Sequence, residues 1–279
     1  MSRRAAIIVL DGLGVGPAHD TDRYGDHGSD TLGNTLRAVG GVALPHLAAF
    51  GFGNLASLAG VPAAAVPQAA YGRAQPVSAG KDSTTGHWEL CGVVLDRPFP
   101  TFPDGFPDRI IAEFSRRTGR GVLGNVAGSG TVLLDRYGDE HLRTGSWIVY
   151  TSADSVFQVA AHEGKVPLKE LYAACATARE LLTGVDAVSR VIARPFVGTA
   201  GAWKRTPNRK DLSVPPPEPT LLDHLAEAGV PRVGVGKVDD LFAGRNITSV
   251  HTPTNADAYR LIGDALATMP AGFLFVNVI

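Results

Sequence analysis

Residues 5–10 form a short, unbroken apolar run rich in β-branched side chains that ends at Asp11-Gly12. That is the pattern of a parallel strand covered on both faces. Toward the other end, residues 220–228 carry helical spacing, residues 232–236 read as a strand, residues 256–269 as a helix and residues 272–279 as a strongly apolar strand. The middle alternates in the same way, with helices over 109–117 and 168–182 and strands over 122–125, 146–151 and 189–194. Strands alternating with helices imply βαβ units and a doubly wound sheet. Two proline-rich joints, residues 97–103 and 214–219, set the middle apart, because fixed φ angles make semi-rigid connectors. The predicted architecture is an α/β core, residues 1–98 and 217–279, interrupted by an α/β cap over residues 99–216.

A length of 279 residues agrees with two domains rather than one. Acidic and basic residues nearly cancel, 27 against 26, so no global positive field draws in nucleic acid or an anionic membrane. No apolar stretch approaches the ~20 residues of a membrane helix. Cys91 and Cys175 stand alone, which argues against a disulfide framework or structural zinc and fits a reducing cytoplasm. Arg3-Arg4 ahead of the first apolar run has the look of a twin-arginine export signal, but Asp11 ends the run too early for one.

Open α/β sheets place ligands outside the carboxyl ends of their strands, and Asp11 sits at such an exit, followed by Gly12, Gly14 and Gly16. A carboxylate there can hold a metal or simply form a turn. The dinucleotide fingerprint fails for want of the third glycine at its offset. Residues 80–89, GKDSTTGHWE, are too polar for core, and they fail as a P-loop because Gln75 replaces the upstream glycine and Asp82 follows the lysine. What remains is a hydroxyl cluster ahead of a possible helix, suited to a phosphate ester or to an N-cap. Arg190, Arg194, Lys204, Arg205, Arg209 and Lys210 gather beside Trp203, either as a phosphate site or as a solvated face. Lys237 and the run Ser152-Ala153-Asp154-Ser155 occupy further strand exits. The eight histidines show no metal-binding spacing.

Taken together, LDGLGVG (10–16), SDTLGN (29–34), GKD with TGHWE (80–89), TFPDGFP (101–107), YTSADSV (150–156), AHE (161–163), RVIARPFVG (190–198), KRTPNR (204–209) and GK (236–237) resemble phosphopentomutases of the alkaline phosphatase superfamily. The resemblance implies an enzyme that interconverts the 1- and 5-phosphates of ribose or deoxyribose in nucleoside catabolism, on an alkaline-phosphatase-like core with an inserted cap. It implies that Thr85 carries the phosphoryl group and that Asp11 and Thr85 belong to a two-manganese centre. Ser152, Asp154, Val156, Arg190, Ile192, Arg205 and Lys237 match positions that hold the pentose phosphate, and a sugar bisphosphate acts as activator.

The chain departs from the family pattern after Gly124-Asn125, where it reads VAGSGTV (126–132). The family segments that supply most metal ligands would begin beyond Ile279. Residues 273–279 look like a buried strand with no following helix to cover it. The expectation is therefore a truncated core, inactive alone for lack of metal ligands and completed by a further segment or a second chain. The alternatives are a pentose-phosphate binder without turnover and another metal-dependent phosphoryl-transfer enzyme of the superfamily.

Overall fold

The computed structural model describes residues 3–152 and 154–278. After β1 (Arg4–Leu10) come α1 (Thr31–Ala38), α2 (Pro45–Ala49) and α3 (Ser83–Leu90), separated by loops. The middle comprises α4 (Asp108–Thr118), β2 (Val122–Ala127), α5 (Gly130–Thr144), β3 (Trp147–Thr151), β4 (Val156–His162), α6 (Leu168–Leu181), β5 (Arg190–Val197), β6 (Lys204–Arg205) and β7 (Lys210–Ser213). The chain continues through α7 (Leu221–Glu227), β8 (Arg232–Val235), α8 (Val238–Leu241), β9 (Ser249–Val250), α9 (Asn255–Thr268) and β10 (Gly272–Val278).

These strands form two sheets, and the fold is mixed α/β. One sheet is parallel throughout, in the order β1-β10-β8-β9, so the first strand lies beside the last. The other has the order β2-β3-β4-β5-β6, with β7 also on β5. Here β2 pairs β3 and β4 pairs β5 in parallel, while β3 with β4 and β5 with β6 and β7 are antiparallel.

β10 is buried along its whole length. Phe273 and Phe275 pack with Trp88 of α3, Leu222 of α7 and Val238 and Leu241 of α8. Leu274, Val276 and Val278 pack on the opposite face with Ala258 and Ile262 of α9. The expectation that this strand lacks cover is thus overturned, because helices earlier in the chain supply both layers. Ile279, the last residue of that predicted strand, lies outside the described residues. β1 corrects the sequence reading in the other direction. Its Ile7 and Val9 join the first cluster, but Ile8 and Leu10 stay 46 % and 39 % exposed. The reason is position: β1 is an edge strand, and α9 lies over β10 and β8.

Side-chain alternation divides the second sheet. Trp147, Val149, Phe157, Val159, Val191 and Ala193 face Ile110 and Phe114 of α4 and Leu171, Ala174 and Cys175 of α6. Fully burying a side chain such as Phe157 contributes about 2 kcal/mol. Ile148, Tyr150, Ala160 and Phe196 face Leu133 and Leu134 of α5. Arg190, Ile192 and Arg194 share the parity of Phe196 on β5, so the same alternation puts them on the α5 side. The joint ahead of α4 is pinned by Asn125, which sits at φ 55° beside a register shift in β2. Its side chain accepts from Phe106 N at 2.8 Å and donates to Phe106 O at 2.9 Å.

Candidate active site

The exits of the parallel sheet bring together Asp11 after β1, Lys237 after β8 and Asn277 in β10. Lys237 Nζ lies 2.6 Å from Asp11 Oδ2, and Ser83 Oγ donates to the same carboxylate at 3.1 and 3.2 Å. Burial alone would raise the Asp11 carboxyl, but Lys237, Asn277 and Ser83 outweigh it and hold it below the usual carboxylate range. The turn that aims Lys237 requires Gly236: its φ is +85°, and a Cβ there would lie 2.1 Å from the Asn277 carbonyl oxygen. Beneath this group, His87 Nδ1 faces the Ser83 carbonyl at 2.7 Å and Nε2 faces Asn277 Nδ2 at 3.1 Å. Those partners suit a neutral ring that donates from Nδ1 and accepts at Nε2, and burial lowers the pKa accordingly.

Thr85 stands in the first turn of α3. The sequence left the hydroxyls as N-caps or as phosphoryl acceptors, and the structure gives the cap to Asp82, whose Oδ1 accepts from Thr84 N and Thr85 N at 2.9 and 3.1 Å. Asp82 Oδ2 accepts from the Thr85 hydroxyl at 2.7 Å, while the buried Thr84 hydroxyl has no partner among the described residues. Thr85 lines a cleft of about 550 Å³ with Gly12, Gly14, Gly80, Lys81 and Asp82.

The basic run divides: Arg190, Arg194 and Arg205 are withdrawn from water, while Lys204, Arg209 and Lys210 are exposed. Arg190 Nη1 lies 3.3 Å from Asp211 Oδ2 and Nη2 lies 3.9 Å from Asp154. Arg209 grips Asp211 through Nε and Nη2, both at 2.6 Å. Arg205 Nη2 reaches the Tyr150 hydroxyl at 3.4 Å, and Arg194 Nε donates to Gln158 at 3.0 Å. Trp203 packs its ring on Phe196 and His162, and Lys204 is exposed. Val156 and Ile192 are buried in the sheet. Ser152 is half-buried, and Ala153 lies outside the described residues.

A cleft of about 750 Å³ joins the two sheets, lined by Arg209, Lys210 and Asp211 on one side and by Lys237, Asp240 and Asn277 on the other. The structure therefore brings Lys237, Arg209 and Asp211 to one opening and Thr85 to another, while Arg190, Arg194 and Arg205 line neither. Sequence reading missed Asp211, Tyr150 and Asn277. The one available signal for Asp211 was a lone carboxylate closing a basic run.

The donor set does not by itself fit two hard cations, each of which takes about six oxygen or nitrogen ligands. Among the described residues, the group of three His, Cys, Asp or Glu side chains close enough to share an ion is Asp239, Asp240 and His251, which leaves out Asp11. Asp239 there is already engaged by the Asp240 and Ser249 amides. Among the described residues, no helix is long and apolar enough to cross a membrane.

No family model matches the chain. It is 54 % identical over 281 residues to a phosphopentomutase of Anaeromyxobacter dehalogenans, covering 100 % of this chain and 72 % of that protein. It is 49 % identical over 278 residues to one from Dictyoglomus thermophilum, covering 99 % and 71 %. A third phosphopentomutase, from Herpetosiphon aurantiacus, is 50 % identical over 279 residues, again covering 99 % and 71 %. With identity at this level along nearly every residue, the chain belongs to the phosphopentomutase family of isomerases.

Proposed function

We propose that the chain interconverts the 1- and 5-phosphates of ribose and deoxyribose by passing a phosphoryl group through Thr85. The observation that carries this reading is the alignment of 99 % of the chain with proteins named phosphopentomutase. Phosphorylated Thr85 would give its phosphoryl group to the free hydroxyl of the pentose phosphate, and Thr85 Oγ1 would then attack the other phosphorus of the bisphosphate so formed, making an O–P bond and breaking the P–O bond to the sugar. Asp82 Oδ2, hydrogen-bonded to the Thr85 hydroxyl at 2.7 Å, is in place to take its proton and pass it to the released sugar oxygen. A sugar bisphosphate would charge Thr85 at the start, and Ser152, Asp154, Val156, Arg190, Ile192, Arg205 and Lys237 would hold the pentose phosphate.

Manganese belongs to the same proposal, as the charge-neutralising partner of the phosphoryl group. Asp11 and Thr85 would be its ligands from this chain. We read the core as alkaline-phosphatase-like and residues 99–216 as its cap, supported by a second sheet built entirely from residues 122–213. The setting would be nucleoside catabolism in the cytoplasm.

One observation favours a second reading, pentose-phosphate binding without turnover by this 279-residue chain: among the described residues, Asp11 belongs to no group of three His, Cys, Asp or Glu side chains close enough to share an ion. Incubation with manganese and a sugar bisphosphate, followed by mass spectrometry of the peptide containing residues 83–85, separates the two. Phosphate on Thr85 supports transfer, and calorimetric binding of ribose 5-phosphate without a label supports the binder. Neither binding nor label rejects both, and a label on Ser83 or Thr84 rejects the role given to Thr85.

A further inference from the structure

We propose that Asp211 is a positioning residue, whose carboxylate holds Arg190 and Arg209 together as a preformed receptor for the phosphate of the sugar. The inference rests on the reading of Arg190 as a ligand-binding residue.

The geometry begins with strand pairing. β7 runs antiparallel to β5 with Ile192 opposite Asp211 and Arg190 opposite Ser213, so Asp211 and Arg190 share a face on a diagonal. The Asp211 side chain is 5 % exposed and that of Arg190 9 %. One Asp211 oxygen, Oδ2, is shared between Arg190 and Arg209, while Oδ1 binds Arg209 alone. A buried guanidinium such as that of Arg190 needs an anionic partner, and Arg209, 40 % exposed, shares the same carboxylate. Arg190, Arg194, Arg205 and Arg209 all act on Asp211 or on Tyr150, and the nearby carboxylates are Asp211, the more distant Asp154, and Asp240 beside Arg209. The Nε atoms of both Arg190 and Arg205 are buried without a partner among the described residues. A phosphate oxygen is the acceptor such donors suit, and a guanidinium fork already fixed in place loses little freedom on binding it. Burial alone would raise the Asp211 carboxyl, but Arg209 and Arg190 outweigh it and keep the carboxyl below its ordinary range. Asp211 is therefore charged at neutral pH.

Charge and positioning predict opposite signs, which makes the idea testable. Asp211→Asn removes a negative charge beside an anion site, so by charge alone it tightens phosphate binding. If the carboxylate instead orders the fork, the same change weakens binding, by about tenfold for the charge-assisted hydrogen bonds disturbed. The experiment is calorimetry on the full chain with ribose 5-phosphate, and with unphosphorylated ribose as control, in wild type, Asp211→Asn, Arg190→Ala and the double variant. The expected result is weaker ribose 5-phosphate binding by Asp211→Asn, with a smaller loss in the Arg190→Ala background, where only Arg209 remains to be positioned. Unchanged or tighter binding by Asp211→Asn overturns the proposal, and so does a loss of equal size in both backgrounds, which marks a general structural effect. Should Asp211→Asn not fold, Asp211→Glu carries the test: it keeps the charge and displaces the fork, and unchanged affinity overturns the proposal. A wild-type chain that binds no ribose 5-phosphate rejects the site reading and this inference together, whereas normal wild-type binding with an indifferent Asp211 rejects the inference alone.

Discussion

Replacing Lys237 by methionine removes the cation that faces Asp11 while keeping most of the apolar stem. Nζ lies 2.6 Å from the carboxylate, and the two side chains are 21 % and 18 % exposed, so the pair is mostly withdrawn from water. An exposed pair is worth about 0–1 kcal/mol, and stripping one partner from a fully buried pair costs about 3–5 kcal/mol. Ser83 and Asn277 still donate to the orphaned carboxylate, which pulls the cost below that upper range. The expected loss is about 1–3 kcal/mol, or roughly 2–10 °C in Tm for a chain of this size. The sign with pH follows from the depressed Asp11 pKa. Its contribution is full above the ordinary carboxylate pKa and disappears as pH falls through the lowered one. The Lys237→Met deficit should therefore be complete near neutral pH and shrink in acid. Denaturant unfolding of wild type, Lys237→Met, Asp11→Asn and the double variant gives the coupling energy directly. A coupling below about 0.3 kcal/mol at neutral pH would refute the argument.

Three further perturbations test other parts of the structure. Thr220→Ala breaks the capping box of α7, in which Thr220 Oγ1 accepts from Leu222 N and both Thr220 N and its hydroxyl donate to Asp223; a stability loss of about 1–2 kcal/mol is expected in chemical unfolding, and none would show the cap to be idle. Asp240 is pushed up to about 6, by burial first and then by Asp211, so its ionisation opposes folding as pH rises from about 4 to about 6. Asp240→Asn should accordingly raise Tm above wild type at about pH 7.5 and match it near pH 4, and an equal offset at both values would contradict this. A Cβ on Gly130 would lie 1.9 Å from Arg205 Nη2 and 2.6 Å from the Tyr150 hydroxyl. Gly130→Ala should displace Arg205 and weaken ribose 5-phosphate binding roughly tenfold, and calorimetry showing unchanged affinity would remove Arg205 from the site.

The parts of this molecule that sequence reveals are those whose cause is local. The periodic runs that become α4, α6 and α9 bury one stripe each, and the apolar run of β10 needs no partner to announce it. By contrast α5 begins Gly-Thr-Val behind Gly128-Ser129 and carries Gly138 in its interior, a glycine whose place is set by the Trp203 indole lying against it. β6 and β7 are two and four residues long, and their pairing with β5 defines them more than their own composition does. The site divides along the same line. Asp11 and Lys237 were legible because both follow strands, and the exits of a parallel sheet converge. The strand carrying Arg190 and Arg194 was legible from its apolar run. The task of Asp211 was not, because it depends on which residue of β5 lies opposite it. A slip of one position between β5 and β7 would turn the Asp211 carboxylate to the other face of the sheet, against the apolar layer of Phe157 and Val191. Arg190 would then be buried without its anion. The cost of both errors at once is what makes the observed register the stable one. The same electrostatic requirement that keeps a carboxylate among the arginines therefore also specifies how the edge of the second sheet is assembled.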